Sequence, residues 1–200
     1  MVILNYVMNV MVAEAKMSKI KVLALFGKSG AGKDTIQKWM VSKYDNCKGI
    51  VSCTTRPPRD YEIDGVDYYF LTPDKFAEKV LDGSMLEAAS FNGWFYGTAI
   101  SELSEDKINV GVFNIKGVER LLEDNRIEVL PVYVKSFDKT RLLRNLSREE
   151  WPNCEEICRR FLTDEQDFRA IDYDYETFLN EGNIDEVTGL DLVMEFIEQK

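Results

Sequence analysis

The stretch Leu23-Ala-Leu-Phe-Gly-Lys-Ser-Gly-Ala-Gly-Lys-Asp-Thr35 constrains this chain more than any other. Its apolar run, Val22 to Phe26, has the continuous hydrophobicity of a strand buried in a parallel sheet. The chain then turns through Gly27, Gly30 and Gly32 and enters a helix at Lys33 or Asp34. Strand, glycine-rich loop, Lys and helix in that order form the context that gives a Walker-A pattern its meaning. Glycines let backbone N–H groups converge on phosphate oxygens, the helix start adds a positive dipole end, and Lys33 brings a point charge to the β- and γ-phosphates. A glycine-rich turn that binds nothing is the bland alternative, and the flanking strand and helix argue against it.

The loop departs from the common ending Gly-Lys-Ser/Thr, whose hydroxyl helps hold Mg²⁺. Asp34 follows Lys33 here, and the hydroxyl comes one place later at Thr35. Gly27 to Thr35 thus resembles the Gly-x-x-Gly-x-Gly-Lys-x-Thr loop of nucleoside monophosphate kinases.

A chain of 200 residues suits one domain with lobes or insertions. Its net charge of −10 argues against a general nucleic-acid binder, which needs a broad basic face. Four cysteines (Cys47, Cys53, Cys154, Cys158) with no histidine make zinc, a disulfide framework and imidazole chemistry poor readings, so reduced thiols in a cytoplasmic protein are expected. The apolar opening run lacks a basic n-region and is too short to span a bilayer. Residues 1–18 read as an extension ahead of the domain at 19–200.

Along the chain, a helix is expected to about Tyr44, a strand over Gly49–Cys53 and a short strand over Tyr68–Leu71. Thr72-Pro73 should cap a short helix to Leu81 with Phe76, Val80 and Leu81 inward. Leu86–Phe91 and Trp94–Thr98, joined by Asn92-Gly93, read as a hairpin. A helix near Thr98–Glu105, the strand Ile108–Asn114, the helix Val118–Leu122 and the strand Glu128–Val134 follow. Residues 138–168 read as helical with a break at Trp151-Pro152. A strand (Tyr175–Leu179) and a helix (Asp185–Gln199) finish the chain. Alternating strands and helices after such a loop predict an α/β fold with a parallel sheet in a three-layer core. The core takes 19–52, 100–137 and 169–200; a mostly β insertion occupies 53–99 and a helical lid 138–168.

At Ser52-Cys-Thr-Thr-Arg-Pro-Pro-Arg59 the chain comes to resemble the guanylate kinase family. The resemblance runs from about Lys21 to Asn180. It rests on the loop, on Thr54-Thr55-Arg56 with Arg59, on Gly65-Val-Asp-Tyr68, on Leu86-Glu87 and on Phe95-Tyr96-Gly97-Thr98. It implies an ATP:GMP phosphotransferase needing Mg²⁺, with ATP on Gly27, Ser29, Gly30, Ala31, Gly32, Lys33, Asp34, Thr35 and Asn180. GMP or dGMP would lie in the insertion, on Ser52, Arg56, Arg59, Tyr68, Glu87, Tyr96, Thr98 and Asn114. Lys33 and Arg56 would act in transfer with lid arginines, for which Arg144, Arg148 and Arg160 match the family's spacing; Arg141 and Arg159 leave that register open. The implied partners are nucleotides, not nucleic acid or membrane, with monomer and homodimer both open.

The residue types suit that chemistry. A dianionic monophosphate calls for forked guanidiniums and phenolic donors, which Arg56, Arg59, Tyr68 and Tyr96 provide. Guanine presents two donors, N1–H and the exocyclic amine, and a carboxylate such as Glu87 accepts both. Ser52 and Thr98 hydroxyls can serve O6. Surface ion pairs and hairpin packing are the bland alternative for these residues.

One strand departs from the family. Where guanylate kinases carry Asp-x-Asp, Val110-Gly-Val-Phe-Asn114 offers Val112 and Asn114. Asp34 is the candidate to restore a carboxylate near the metal, together with Thr35. Three readings follow: an active kinase of GMP or dGMP, a deoxynucleoside monophosphate kinase of broader specificity, and a binding module of the same fold. Lys33 and the phosphate-binding set favour the first.

Overall fold

The structure, a computed structural model, describes residues 19–91, 93–181 and 191–198. The expected extension, Asn92 of the hairpin turn, and the helix start at Asp185 lie outside them.

The core sheet is built from β1 (Ile20–Phe26), β2 (Cys47–Gly49), β7 (Ile108–Val112), β8 (Ile127–Lys135) and β9 (Glu176–Leu179). Their order is β2-β7-β1-β8-β9, all parallel. β1 lies at the centre, which is why its sequence is apolar from Val22 to Phe26: Leu23 and Leu25 face one layer while Val22, Ala24 and Phe26 face the other, all buried. Each of these side chains apart from Ala24 contributes about 1.5–3 kcal/mol of transfer free energy. On the first face pack α1 (Lys33–Lys43), through Ile36 and Met40, and the last helix, α6 (Asp191–Glu198), through Val193 and Phe196. On the second packs α3 (Ile115–Glu123), through Val118 and Leu121.

A second sheet, of order β4-β3-β6-β5, joins β3 (Cys53–Thr54), β4 (Tyr69–Phe70), β5 (Met85–Phe91) and β6 (Trp94–Ala99). Thr72 caps α2 (Pro73–Leu81), its hydroxyl accepting from Lys75 N–H at 3.3 Å. Between β8 and β9 an arm of two helices, α4 (Asp138–Leu146) and α5 (Cys154–Asp167), packs beside the glycine-rich loop.

Three local expectations need correction. The strand expected over Gly49–Cys53 is two: β2 ends at Gly49 in the core sheet, and β3 begins at Cys53 in the second sheet. The helix expected near Thr98–Glu105 is only a 3₁₀ turn, Ile100–Glu102, because β6 keeps its pairing to Met85 through Ala99. On α2 only Phe76 is buried, stacked on Phe95; Val80 and Leu81 face solvent.

Candidate active site

The glycine-rich loop leaves the carboxyl end of the central strand, where open α/β sheets place their ligand crevices. Its backbone is special where it must be. Gly30 has φ +78°, and a Cβ there would sit 2.5 Å from the Arg141 carbonyl oxygen. Gly32, with φ +89°, starts α1, and a Cβ would run into the Asn180 amide. Lys33 curls under the loop, its ammonium donating to the Gly27 carbonyl at 2.8 Å and to Lys28 at 3.2 Å. Burial lowers its pKa, and the charges of Asp34 and Asp164 partly oppose that.

A cavity of about 210 Å³ runs from this loop to the second sheet. The loop end is lined by Gly27, Ser29, Gly30, Lys33 and Asp34, the far end by Ser52, Arg56, Arg59, Tyr68, Glu87 and Tyr96. Asn114 with Phe113 and Val112 forms one wall; Arg148 and Arg160 from the helical arm close another. Both arginines also border an adjoining cavity that Arg59 and Ser29 share.

The two arginines at the far end are held before any substrate arrives. Glu62 receives Arg56 Nη2 at 2.8 Å, Arg59 Nη1 at 3.3 Å and the Arg59 backbone N–H at 2.8 Å. Burial alone would raise the Glu62 carboxyl; these bonds overcome it and hold the group below its ordinary range. Arg56 further donates to the Pro57 carbonyl at 2.6 Å and lies 5.6 Å from the Tyr68 ring centre. Desolvation pushes the phenol of the half-buried Tyr68 strongly upward, so it remains an O–H donor.

Glu87 sits where β5 carries an extra residue. Pairing shifts between Met85↔Ala99 and Glu87↔Thr98, leaving Leu86 unpaired and turning Glu87 inward. The carboxylate is 8% exposed, and burial pushes its pKa up to about 7. The wholly buried Thr98 hydroxyl lies close enough to favour the charged form, yet among the described residues it makes no well-formed hydrogen bond. Across from Glu87 is the first turn of α3, capped by Asn114, whose Oδ1 accepts from Gly117 N–H at 2.7 Å. A Cβ built on Gly117 would lie 3.3 Å from Glu87 Oε2 and 3.4 Å from Asn114 Oδ1, so the two groups flank one glycine.

Other expected residues are placed elsewhere. Asn180 lies behind the loop, its amide donating to the Ala31 carbonyl at 2.8 Å. Arg144 is beside it, reaching Ser136 Oγ at 2.9 Å and Ala31 O at 3.3 Å. Ala31, Gly32, Thr35 and Thr98 are not on the cavity wall. Of the two arginines left open, Arg141 is 1% exposed and bonded to Asp164, while Arg159 pairs with Glu156 on the outside of α5. Sequence reasoning missed Glu62, Asp164 and Glu165. Glu62 had a signal, a carboxylate three places after Arg59; Asp164 had a fainter one, four places after Arg160 on the same helix face.

Among the described residues no group of three or more Asp, Glu, His or Cys is arranged to hold a metal, and no helix is long and apolar enough to cross a membrane. The four cysteines are free.

A parallel sheet whose central strand feeds a Walker-A loop, with that loop opening on a cavity rich in arginine, defines a P-loop α/β phosphotransferase. A family model described as guanylate kinase matches residues 19–200, and the chain belongs to that family. A guanylate kinase of Prochlorococcus marinus (strain MIT 9312) is 33% identical over 171 residues, 83% of this chain and 91% of that protein. One from Clostridioides difficile (strain 630) is 36% identical over 165 residues, 78% of each chain. The crystal structure of guanylate kinase from Anaplasma phagocytophilum superposes with a TM-score of 0.66 at 20% identity, covering 92% of this chain and 90% of that one. That likeness supports the fold.

Proposed function

We propose that this protein transfers the γ-phosphate of ATP to GMP or dGMP, giving ADP and GDP or dGDP. The observation that carries the reading is one cavity joining Lys33 and the loop to a buried carboxylate, Glu87, and lined as well by Arg56, Arg59, Tyr68 and Tyr96. The monophosphate would lie on the two arginines and two tyrosines, its base against Glu87 and Ser52, with the buried Thr98 hydroxyl behind Glu87 rather than against the base. The triphosphate would lie on the loop. An oxygen of the monophosphate then attacks the γ-phosphorus in line, the bond to the β-phosphate oxygen breaks, and charge passes to ADP. Lys33, Arg148 and Arg160 hold that charge, so the protein contributes mainly position and electrostatics. Arg144 and Asn180, behind the loop, act by holding its shape.

Mg²⁺ fits the donors present. It needs no all-protein cage, only one or two carboxylates with substrate phosphates and water. Asp34 provides a carboxylate on the cavity wall, its charge felt by both Lys33 and Tyr68, with the Thr35 hydroxyl next in sequence. Held there, the ion would supply positive charge against that of the phosphates. The reading places the protein in the cytoplasm, consistent with its free thiols.

A coupled ADP-release assay with ATP, Mg²⁺ and each of GMP, dGMP, AMP, CMP, UMP and dTMP tests this. Turnover confined to GMP and dGMP is expected. Turnover across several acceptors would assign broader specificity, and nucleotide binding without turnover a binding role.

A further inference from the structure

The helical arm presents acid as well as base to a site meant for a triphosphate. Asp164 and Asp167 of α5 line the cavity beside Arg160. Asp164 is 4% exposed, and its Oδ2 accepts the Ser29 backbone N–H at 2.6 Å. The same oxygen takes Arg141 Nη2 at 3.1 Å, and Arg141 Nε donates to the Ser29 carbonyl at 3.0 Å. Both backbone polar atoms of Ser29 are therefore held by the arm. Next along α5, Glu165 pairs with Lys28 at 2.5 Å and with Arg141 at 3.3 Å. Arg141 also reaches Asp138 at 2.9 Å and stacks over Phe161 at 4.6 Å.

Backbone N–H groups of this loop are what a triphosphate binds. A carboxylate already bonded to one of them, within electrostatic reach of Lys33, competes with phosphate for the same donors. Two anions cannot share that low-dielectric spot cheaply.

We propose that Asp164 is an internal stand-in for phosphate: it occupies the Ser29 N–H, and ATP binds by taking that donor and displacing the carboxylate. This rests on the reading of the loop as the ATP site. Asp164 is a positioning residue in this scheme, since it hands the loop to the nucleotide. Glu165 acts alongside it by neutralising Lys28. Displacement loosens α5 from the loop, so that Arg160, one turn before Asp164 and paired with Glu156 of the same helix at 2.6 Å, moves with the helix toward the incoming phosphates.

The test is direct binding of a non-hydrolysable ATP analogue to the full chain, with heat stability measured in parallel. Asp164→Asn keeps an acceptor for Ser29 N–H and leaves Arg141 with Asp138 and Glu165, but removes the competing charge. It should bind the analogue about 3- to 30-fold tighter while its Tm is equal or lower. Glu165→Gln, at a one-third exposed side chain, should fold readily and bind more tightly by a smaller factor. A purely structural role predicts the opposite, weaker binding together with lower Tm, and that result overturns the proposal. Unchanged affinity in both variants overturns it too. Failure of the unmodified protein to bind the analogue at all would instead refute the ATP-site reading.

Discussion

Replacing Glu87 by Gln tests the base end of the cavity through its physics. A carboxyl whose pKa is about 7 is roughly one-tenth ionised at pH 6 and nine-tenths at pH 8. Only the ionised form accepts both guanine donors, so KM for GMP at saturating ATP should fall roughly tenfold between pH 6 and pH 8. The phosphate of GMP titrates near pH ~6 itself, so the unmodified protein alone would be ambiguous. The Gln variant shares the substrate's titration and lacks the protein's, and the ratio of the two profiles isolates Glu87. At pH 8 the variant loses a charged acceptor and sets an amide donor against a guanine donor. Those losses amount to about 3–5 kcal/mol, a 10²- to 10⁴-fold drop in kcat/KM. Stability should move the other way. Folding raises this carboxyl from its ordinary value of 4.5 to about 7, so the folded state binds the proton more tightly. Its contribution to stability is full below pH 4.5 and is lost as pH rises through 7. Gln does not ionise, so the variant should be more stable than the parent at pH 8, by up to about 3 kcal/mol or several degrees in Tm, with the gap closing toward pH 4. A pH-independent ratio of the two profiles, or no gain in Tm at pH 8, refutes the burial argument.

Lys33→Met should lower turnover about 10³-fold with little change in a thermal melt, because among the described residues its ammonium bonds only loop carbonyls but meets transferring charge in the reaction. Glu62→Gln removes the anion that holds Arg56 and Arg59; KM for GMP should rise about tenfold and urea denaturation should report a loss of about 1–3 kcal/mol. Asp34→Ala should raise the Mg²⁺ concentration for half-maximal rate several-fold, and an unchanged Mg²⁺ dependence would remove Asp34 from the metal's shell. Asn114→Asp sets a second carboxylate beside Glu87, so the pH at which GMP affinity is half-maximal should move upward; a profile that stays in place would sink that electrostatic coupling.

Local chemistry was legible in the sequence where it is decided by near neighbours. The loop, the Thr72-Pro73 cap and the β5–β6 pairing need only residues a few places apart, and each reads from spacing. Elements decided by distant partners did not read as well. Gly49 and Cys53 belong to different sheets because β2 pairs with β7 while β3 pairs with β4 and β6, a choice no local pattern carries. The arginines of residues 138–168 show the same limit. Arg141 is buried on the loop, Arg144 lies behind it, Arg148, in the link between α4 and α5, and Arg160 face the cavity and Arg159 faces out, although all five look alike in the sequence. Which face meets the loop depends on how α4 and α5 pack.

Of the two positions, Val112 and Asn114, where the sequence lacks an aspartate, the fold accounts for Asn114. Read along the chain, it is an aspartate that lost its charge. In the fold it is the N-cap of α3, and capping needs an acceptor oxygen rather than a charge, which the amide provides to Gly117 N–H. A second carboxylate beside that glycine would also raise the pKa of Glu87 further above 7, leaving less of the ionised form that guanine requires. The neutral cap keeps the helix start in place and leaves Glu87 free of a neighbouring like charge there. In the proposed function the metal's carboxylate is instead Asp34, which lines the other end of the cavity beside Lys33.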